Sequence, residues 1–144
     1  MRLNYSLYKN QGIHVIASIF TVDKGEVKVL LVKRSNEPYK GMWALVGGAL
    51  YNNEFLEEGM QREIFEKSGL TNVKVYPSGI FDNPSRTPDM RMIAITYIGI
   101  IDKNKVQVLK KTLKTENSDW ERLDQVKELA SDHNQILKKS YRNT

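Results

Sequence analysis

Five glutamates crowd the stretch Gly48 to Leu70, GALYNNEFLEEGMQREIFEKSGL: Glu54, Glu57, Glu58, Glu63 and Glu66. A carboxylate-rich face beside the Gly47-Gly48 pair suits a hard cation and a phosphate better than it suits packing. Acids at i, i+3 and i+4 share one helix face, so a set at 63, 66 and 67 would converge on one magnesium-like ion. Position 67, however, is a lysine. It follows Glu63 by four residues, in the favourable Glu-then-Lys order, so its ammonium can reach that carboxylate. A unit-charge pair at 4 Å and an effective dielectric of 20 is worth ~4 kcal/mol. Exchanging a carboxylate for an ammonium therefore puts several kcal/mol of divalent-ion affinity at stake, although a lysine can also swing into solvent. The same side chain offers a phosphate a partner without any metal. A solvated helix face explains any one of these glutamates; it does not explain the whole set at this spacing.

The element that must carry these residues is a helix. Asn52 and Asn53 are good N-cap residues, Glu54 puts negative charge in the first turn, and no proline interrupts. Leu56, Met60 and Ile64 recur every fourth residue and predict one apolar stripe, and Gly69 predicts a C-cap. About four turns are expected.

The order and spacing resemble the Nudix box, G-x5-E-x7-R-E-U-x-E-E-x-G-U, with U a bulky aliphatic. Gly48, Glu54, Arg62, Glu63, Ile64, Glu66, Gly69 and Leu70 match, and Lys67 is the departure, so eight of nine specified positions agree over 23 residues. The segments LLVKRSNEPYKGMWALVGG, FDNPSRTP before MRMIAITY, and LASDHNQIL resemble the ADP-ribose-pyrophosphatase-like branch. Within it they are closest to the sensor domain of Nudix-related transcriptional regulators of NAD metabolism. Val46 departs where the family often has proline. The similarity spans roughly residues 12 to 140.

That resemblance implies an α+β fold, an α/β/α sandwich with a mixed β-sheet packed between helices, as a single domain over residues 12–144 behind an N-terminal arm, residues 1–11. It implies Glu54, Glu63 and Glu66 as metal ligands for Mg2+ or Mn2+, weakly held or absent because of Lys67. Arg62 would orient the glutamates, and Glu63, Glu66, Arg62 and Glu116 would form the catalytic group. Glu116, four residues before Trp120, lies where many family members place an extra acid in a loop. For the ligand, ADP-ribose or a related nucleoside diphosphate, Arg34, Gly47, Gly48, Lys67, Arg86 and Arg91 are the binding set, since guanidinium forks match phosphate oxygens. Phe81 and Tyr97 could face the ligand, and Asp132-His133 could touch it, although strand aromatics ordinarily pack in the core and Asp132 equally suits a helix cap. Nudix domains often form homodimers. Contact with DNA is expected only through a C-terminal winged-helix domain, which these 144 residues do not contain.

The remaining chain supplies strands. GIHVIASIFTVD reads as a strand buried on both faces, with His14 as a structural residue. Asp23 to Glu26 is a hairpin turn leading into EVKVLLVKR. MWALVGG is a short strand running into the box. NVKVYPSGIF is interrupted by Pro77 and so belongs at an edge or bulge. MIAITYIGII is a long buried strand, and Val106 to Leu109 a short one. LDQVKELAS is amphipathic and helical, and HNQILKKSYR is a last helix capped by Ser131 or Asp132.

At 144 residues one domain is expected. No cysteine is present, which excludes disulfides, thiol catalysis and thiolate metal sites. No apolar run reaches the ~18–20 residues of a membrane span and no signal-peptide core opens the chain, so a cytoplasmic setting is expected. Three functions compete. A ligand sensor with little turnover is favoured by Lys67, and an active Nudix hydrolase by the retained Glu63, Glu66, Arg62 and Gly48. A nucleic-acid-binding module would work through Lys103, Lys105, Lys110, Lys111 and Lys114. A solvated edge explains those lysines as well, and no aromatic interleaving supports base stacking.

Overall fold

A computed structural model of the chain describes residues 11–142; the expected N-terminal arm, apart from Gln11, lies outside the described residues. Strand β1 (Gly12–Asp23) is the stem of a seven-stranded mixed sheet. Its side chains alternate between two cores. Val15, Ala17 and Ile19 pack with Met60 and Ile64, whereas Ile16 and Phe20 pack with Ile136 and Leu137. An unbroken β-branched run is what such double burial demands.

Lys24 and Gly25, at φ of 53° and 79°, close a two-residue turn into β2 (Glu26–Arg34). MWALVGG splits into β3 (Trp43–Ala44) and β4 (Val46–Ala49). One side of β1 pairs antiparallel with β4 over residues 14–17 and with β2 over residues 20–23. Its other side pairs in parallel with β6 (Met92–Ile100). β5 (Val75–Phe81) forms the edge beside β6, bulged between Pro77 and Gly79. β7 (Thr115–Arg122) pairs with β2. Helix α1 (Leu56–Ser68) covers the first core and α2 (His133–Arg142) the second, giving helices on both faces of the sheet. No described helix is long and apolar enough to cross a membrane.

Three local expectations are corrected, and one strand is added. Helix α1 begins after Asn52 and Asn53: Phe55 occupies the N-cap position, and Glu58 Oε1 accepts its amide proton at 2.8 Å. Glu54 therefore precedes the helix, and Leu56 is 40% exposed while Met60 and Ile64 are fully buried. Gly69 does cap the helix, at φ 79°, donating its N–H to the Phe65 carbonyl. LDQVKELAS makes only a 3-10 turn at Leu123–Gln125. Its backbone is claimed elsewhere: Leu129 N–H donates to Asn134 Oδ1, Asn134 Nδ2 donates to the Lys127 carbonyl, and Ala130 N–H donates to the Trp43 carbonyl. Val106 to Leu109 is irregular, and the Leu109 amide donates to the Ser68 carbonyl at the end of α1. TENSDWER, polar in sequence, is strand β7, with Thr115 and Ser118 buried.

Candidate functional site

Arg62 knots the box together. Its Nε donates to Glu54 Oε2 at 2.5 Å, one terminal nitrogen reaches Glu63 Oε2 at 2.8 Å and Glu66 Oε1 at 3.0 Å, and the other reaches the Ala49 carbonyl at 2.8 Å and Glu54 Oε1 at 3.0 Å. Its guanidinium also lies 3.7 Å over the Tyr51 ring. The hydrogen bonds it donates to Glu54, then the one it donates to Glu63, raise the arginine's pKa against the effect of burial, and the same bonds from Arg62 lower that of Glu54. Position 48 lies hard against the box helix: a Cβ there would stand 2.5 Å from the Glu63 carboxylate, which would have to shift. The glycine loop and the box helix are therefore in direct contact.

Lys67 does not swing into solvent. Its Nζ donates to the Gly47 carbonyl at 2.5 Å and stands 3.3 Å from Glu63 Oε1, with the side chain 14% exposed. Burial pushes its pKa down, and the Glu63 carboxylate opposes that shift. Glu66 is shared between Arg62 and Lys114, whose Nζ reaches Oε1 at 2.7 Å. Burial alone would raise the Glu66 carboxyl, but Lys114 and Arg62 hold it below the usual range.

Nudix hydrolases generally use divalent metals. The residues of this box do not fit such an ion as they are arranged. An ammonium stands between the loop carbonyl and Glu63, Arg62 fills the space between the three glutamates, and among the described residues no group of three acids or histidines is placed to hold a metal ion.

Beside the glycine loop lies a cavity of about 270 Å³, walled by Arg34, Tyr51, Glu63, Lys67 and Lys114 with His14 and His133. A second cavity of about 260 Å³ adjoins it through the shared residues His14, Arg34 and His133, and continues along Pro38, Tyr39, Pro88, Met90 and Met92. Each alone falls short of the ~300–1,000 Å³ of small-ligand sites, and jointly they reach it. One end is cationic and the other largely apolar.

Two histidines stand where the cavities meet. His14 Nδ1 faces an Arg86 guanidinium nitrogen at 3.1 Å, and His133 Nδ1 accepts the Leu45 amide proton at 3.0 Å. Because an arginine and a backbone amide can only donate, both rings are neutral with the proton on Nε2. Burial first, then the Arg86 charge, lowers His14 to about 4; burial lowers His133 to about 3. Arg86 is itself held by both Asp132 oxygens at 2.8 Å and by the Met92 carbonyl at 3.2 Å.

The structure brings together Arg34, Gly47, Gly48, Glu63 and Lys67 on the cavity wall, with Glu54, Arg62 and Glu66 knotted alongside. Arg86 lines the second cavity, but its guanidinium is occupied by protein and its residue exposure is 6%, so it braces the wall instead of offering a phosphate fork. Arg91 is spent on Gln11 and the Asp82 carbonyl and lines neither cavity. Glu116 lies exposed on strand β7 instead of in a loop, and outside both cavities. Tyr97 and Phe81 pack against the cores. Asp132 grips Arg86, and only its backbone carbonyl receives amides of α2. Lys114 and His14 are the residues sequence reasoning missed, whereas His133, expected beside the ligand, does line both cavities. Lys114 looked like one more solvated lysine, and 48 residues of chain separate it from its partner Glu66. His14 stood as a lone histidine within a strand, where packing is the ordinary explanation. Of the other basic-stretch lysines, Lys103 pairs with Asp23 and Lys110 with Asp119.

Sheet, box helix and cavity together define the class: a mixed-sheet α+β domain whose glutamate-arginine helix closes against a glycine loop. The NUDIX domain family model matches residues 12–143, and the chain belongs to that family. It is similar to the ADPR responsive transcriptional repressor NtrR of Acinetobacter baylyi, 30% identical over 138 residues, covering 93% of this chain and 54% of that protein. It thus spans about half the length of that relative. An ADP-ribose pyrophosphatase of Methanocaldococcus jannaschii is 31% identical over 134 residues, covering 93% of this chain and 75% of the relative. Among solved structures, the NUDIX domain of Shewanella oneidensis NrtR complexed with ADP ribose superposes with a TM-score of 0.87 at 26% identity, over 99% of this chain and 94% of that one.

Proposed function

We propose that this chain is a ligand-sensing Nudix domain that binds ADP-ribose or a closely related nucleoside diphosphate and hydrolyses it weakly or not at all. One observation carries the proposal: Arg34, Lys67 and Lys114 converge on a cavity beside the glycine loop, and one of these cations takes the position of a box carboxylate. Cations at one end suit a diphosphate. The Nε2–H groups of His14 and His133 suit neutral oxygen or nitrogen acceptors, and the Pro38, Tyr39 and Met90 walls suit a flat ring. The ADP-ribose named for all three relatives supports the choice of ligand class. Hydrolysis of the diphosphate needs a water aimed in line and charge neutralised on the departing phosphate. In this chain the carboxylates that would organise both are tied to Arg62, Lys67 and Lys114. A regulatory role through DNA would need a separate winged-helix domain in the same protein.

The second reading is a metal-dependent hydrolase, favoured by the retained Arg62, Glu63 and Glu66 and by the pyrophosphatase relative. Calorimetric titration of ADP-ribose, with product analysis of the same samples in the presence of Mg2+ or Mn2+, separates the two. Binding without release of AMP and ribose phosphate is expected. Turnover in the ordinary range of ~1–1000 per second would establish the hydrolase.

A further inference from the structure

We propose that the Lys67 ammonium is a tethered replacement for a divalent ion, so that diphosphate recognition at this site needs no metal and gains nothing from one. This rests on the nucleoside-diphosphate reading above and adds to it the source of the cation. Lys67 Nζ sits between a backbone carbonyl and a carboxylate, 2.5 Å from Gly47 O and 3.3 Å from Glu63 Oε1. Those are the hard oxygen donors a magnesium-like ion would use. Among the described residues, Glu63 Oε1 is buried, accepts no hydrogen bond, and has the Lys67 ammonium as its one ion-pair partner, at 3.3 Å.

The other acids near the box cannot gather around a second ion without giving up partners. Glu54 is bound twice by Arg62 and also accepts the Tyr51 amide, while Glu66 is shared by Arg62 and Lys114. Gly48 lies against the Glu63 carboxylate, so an incoming ion has to approach through the cavity, past Lys67 itself.

An ammonium has three donors and no acceptor. With the Gly47 carbonyl taking one and Glu63 facing a second, the third remains for a phosphate oxygen in the cavity. The cation is attached to the helix and therefore stays when free ions are chelated. A divalent ion entering the same space would meet its repulsion, so metal and lysine compete for one position.

The test measures two quantities on the full chain and on the variants Lys67→Glu and Lys67→Gln: Mn2+ binding by electron paramagnetic resonance, and ADP-ribose affinity by calorimetry in EDTA and in Mg2+. For the wild type, ADP-ribose affinity should agree within about twofold in the two buffers, with no tight Mn2+ site. Lys67→Glu should gain a Mn2+ site and lose about tenfold or more of its ADP-ribose affinity in EDTA, recovering it with Mg2+. Lys67→Gln keeps a donor for the Gly47 carbonyl, preserves the fold by circular dichroism, and should lose affinity equally in both buffers. Mn2+ binding to the wild type as tightly as to Lys67→Glu overturns the inference whatever the ligand does. A strengthening of wild-type ADP-ribose binding by about tenfold in Mg2+ overturns it alone and leaves the ligand class standing. Absence of ADP-ribose binding in both buffers overturns the proposed function and this inference with it.

Discussion

Replacing Asp132 by alanine should cost about 3–5 kcal/mol of folding free energy, the range for breaking a buried ion pair from one side. Both Asp132 oxygens take hydrogen bonds from Arg86 at 2.8 Å, and the two side chains are 11% and 1% exposed. The variant strands a guanidinium that is only 1% exposed, and this uncompensated charge sets the magnitude. Removing both partners is another matter: Arg86→Met with Asp132→Leu leaves no buried charge and should recover most of the loss. Against a total stability of ~5–15 kcal/mol the single change is large. At ~2–4 °C per kcal/mol for a chain near this size, Tm should fall by roughly 10 °C. Urea unfolding followed by circular dichroism reads the free energies directly, with the slope m unchanged if only stability is affected. If Asp132→Ala loses less than about 1 kcal/mol, or if the double variant is no better than the single, the pair is not a buried brace and the reasoning fails.

Acid should weaken the fold in two stages. His14 and His133 are held down to about 4 and about 3 chiefly by burial, so below pH ~6.5 the unfolded chain takes up protons that the folded one refuses. Stability is then level above that pH and falls towards pH 4, and equal urea midpoints at pH 7.5 and 4.5 would contradict this. Burial would raise the Asp132 carboxyl, but Arg86 outweighs it and the net shift is downward, so its contribution disappears only below the ordinary carboxylate range. Gly48→Ala forces a methyl within 2.5 Å of the Glu63 carboxylate and should cost about 1–3 kcal/mol together with ligand affinity; an unchanged unfolding curve would show that the contact gives way freely. Arg62→Gln leaves three carboxylates short of their shared cation and should lower stability by about 3 kcal/mol, measured by thermal unfolding. Glu116→Gln, exposed and outside both cavities, should leave the ADP-ribose Kd within about twofold, and a tenfold loss would return that residue to the site.

The strands legible in the sequence were those whose pattern reports burial on its own. The β1 run, the Lys24-Gly25 turn and the Pro77 bulge lie where composition placed them, because double burial, positive φ and a missing N–H each leave a local mark. Strand β7 was not legible, since its buried positions are Thr115 and Ser118 and its pairing with β2 is a long-range fact. The LDQVKELAS helix failed for the opposite reason: its amphipathic spacing is real, but Asn134 and Trp43 claim the backbone groups a helix would need. Around the site, box spacing located Glu63, Glu66, Arg62 and Lys67 correctly relative to one another. It could not say that Lys67 folds inward onto Gly47, nor that Arg86 is occupied by Asp132, because both outcomes depend on segments far apart in the chain.

Strand β1 is hydrogen-bonded along both edges where it carries His14, facing Ala49 of β4 on one side and Ala94 of β6 on the other. The floor beneath the two cavities consequently has no spare amides with which to breathe. Admission of a ligand falls to the rims, the segments 35–42 and 82–91. In deuterium uptake the β1 amides should be among the slowest in the molecule with or without a bound nucleotide, whereas occupancy should register as slowing confined to those rims.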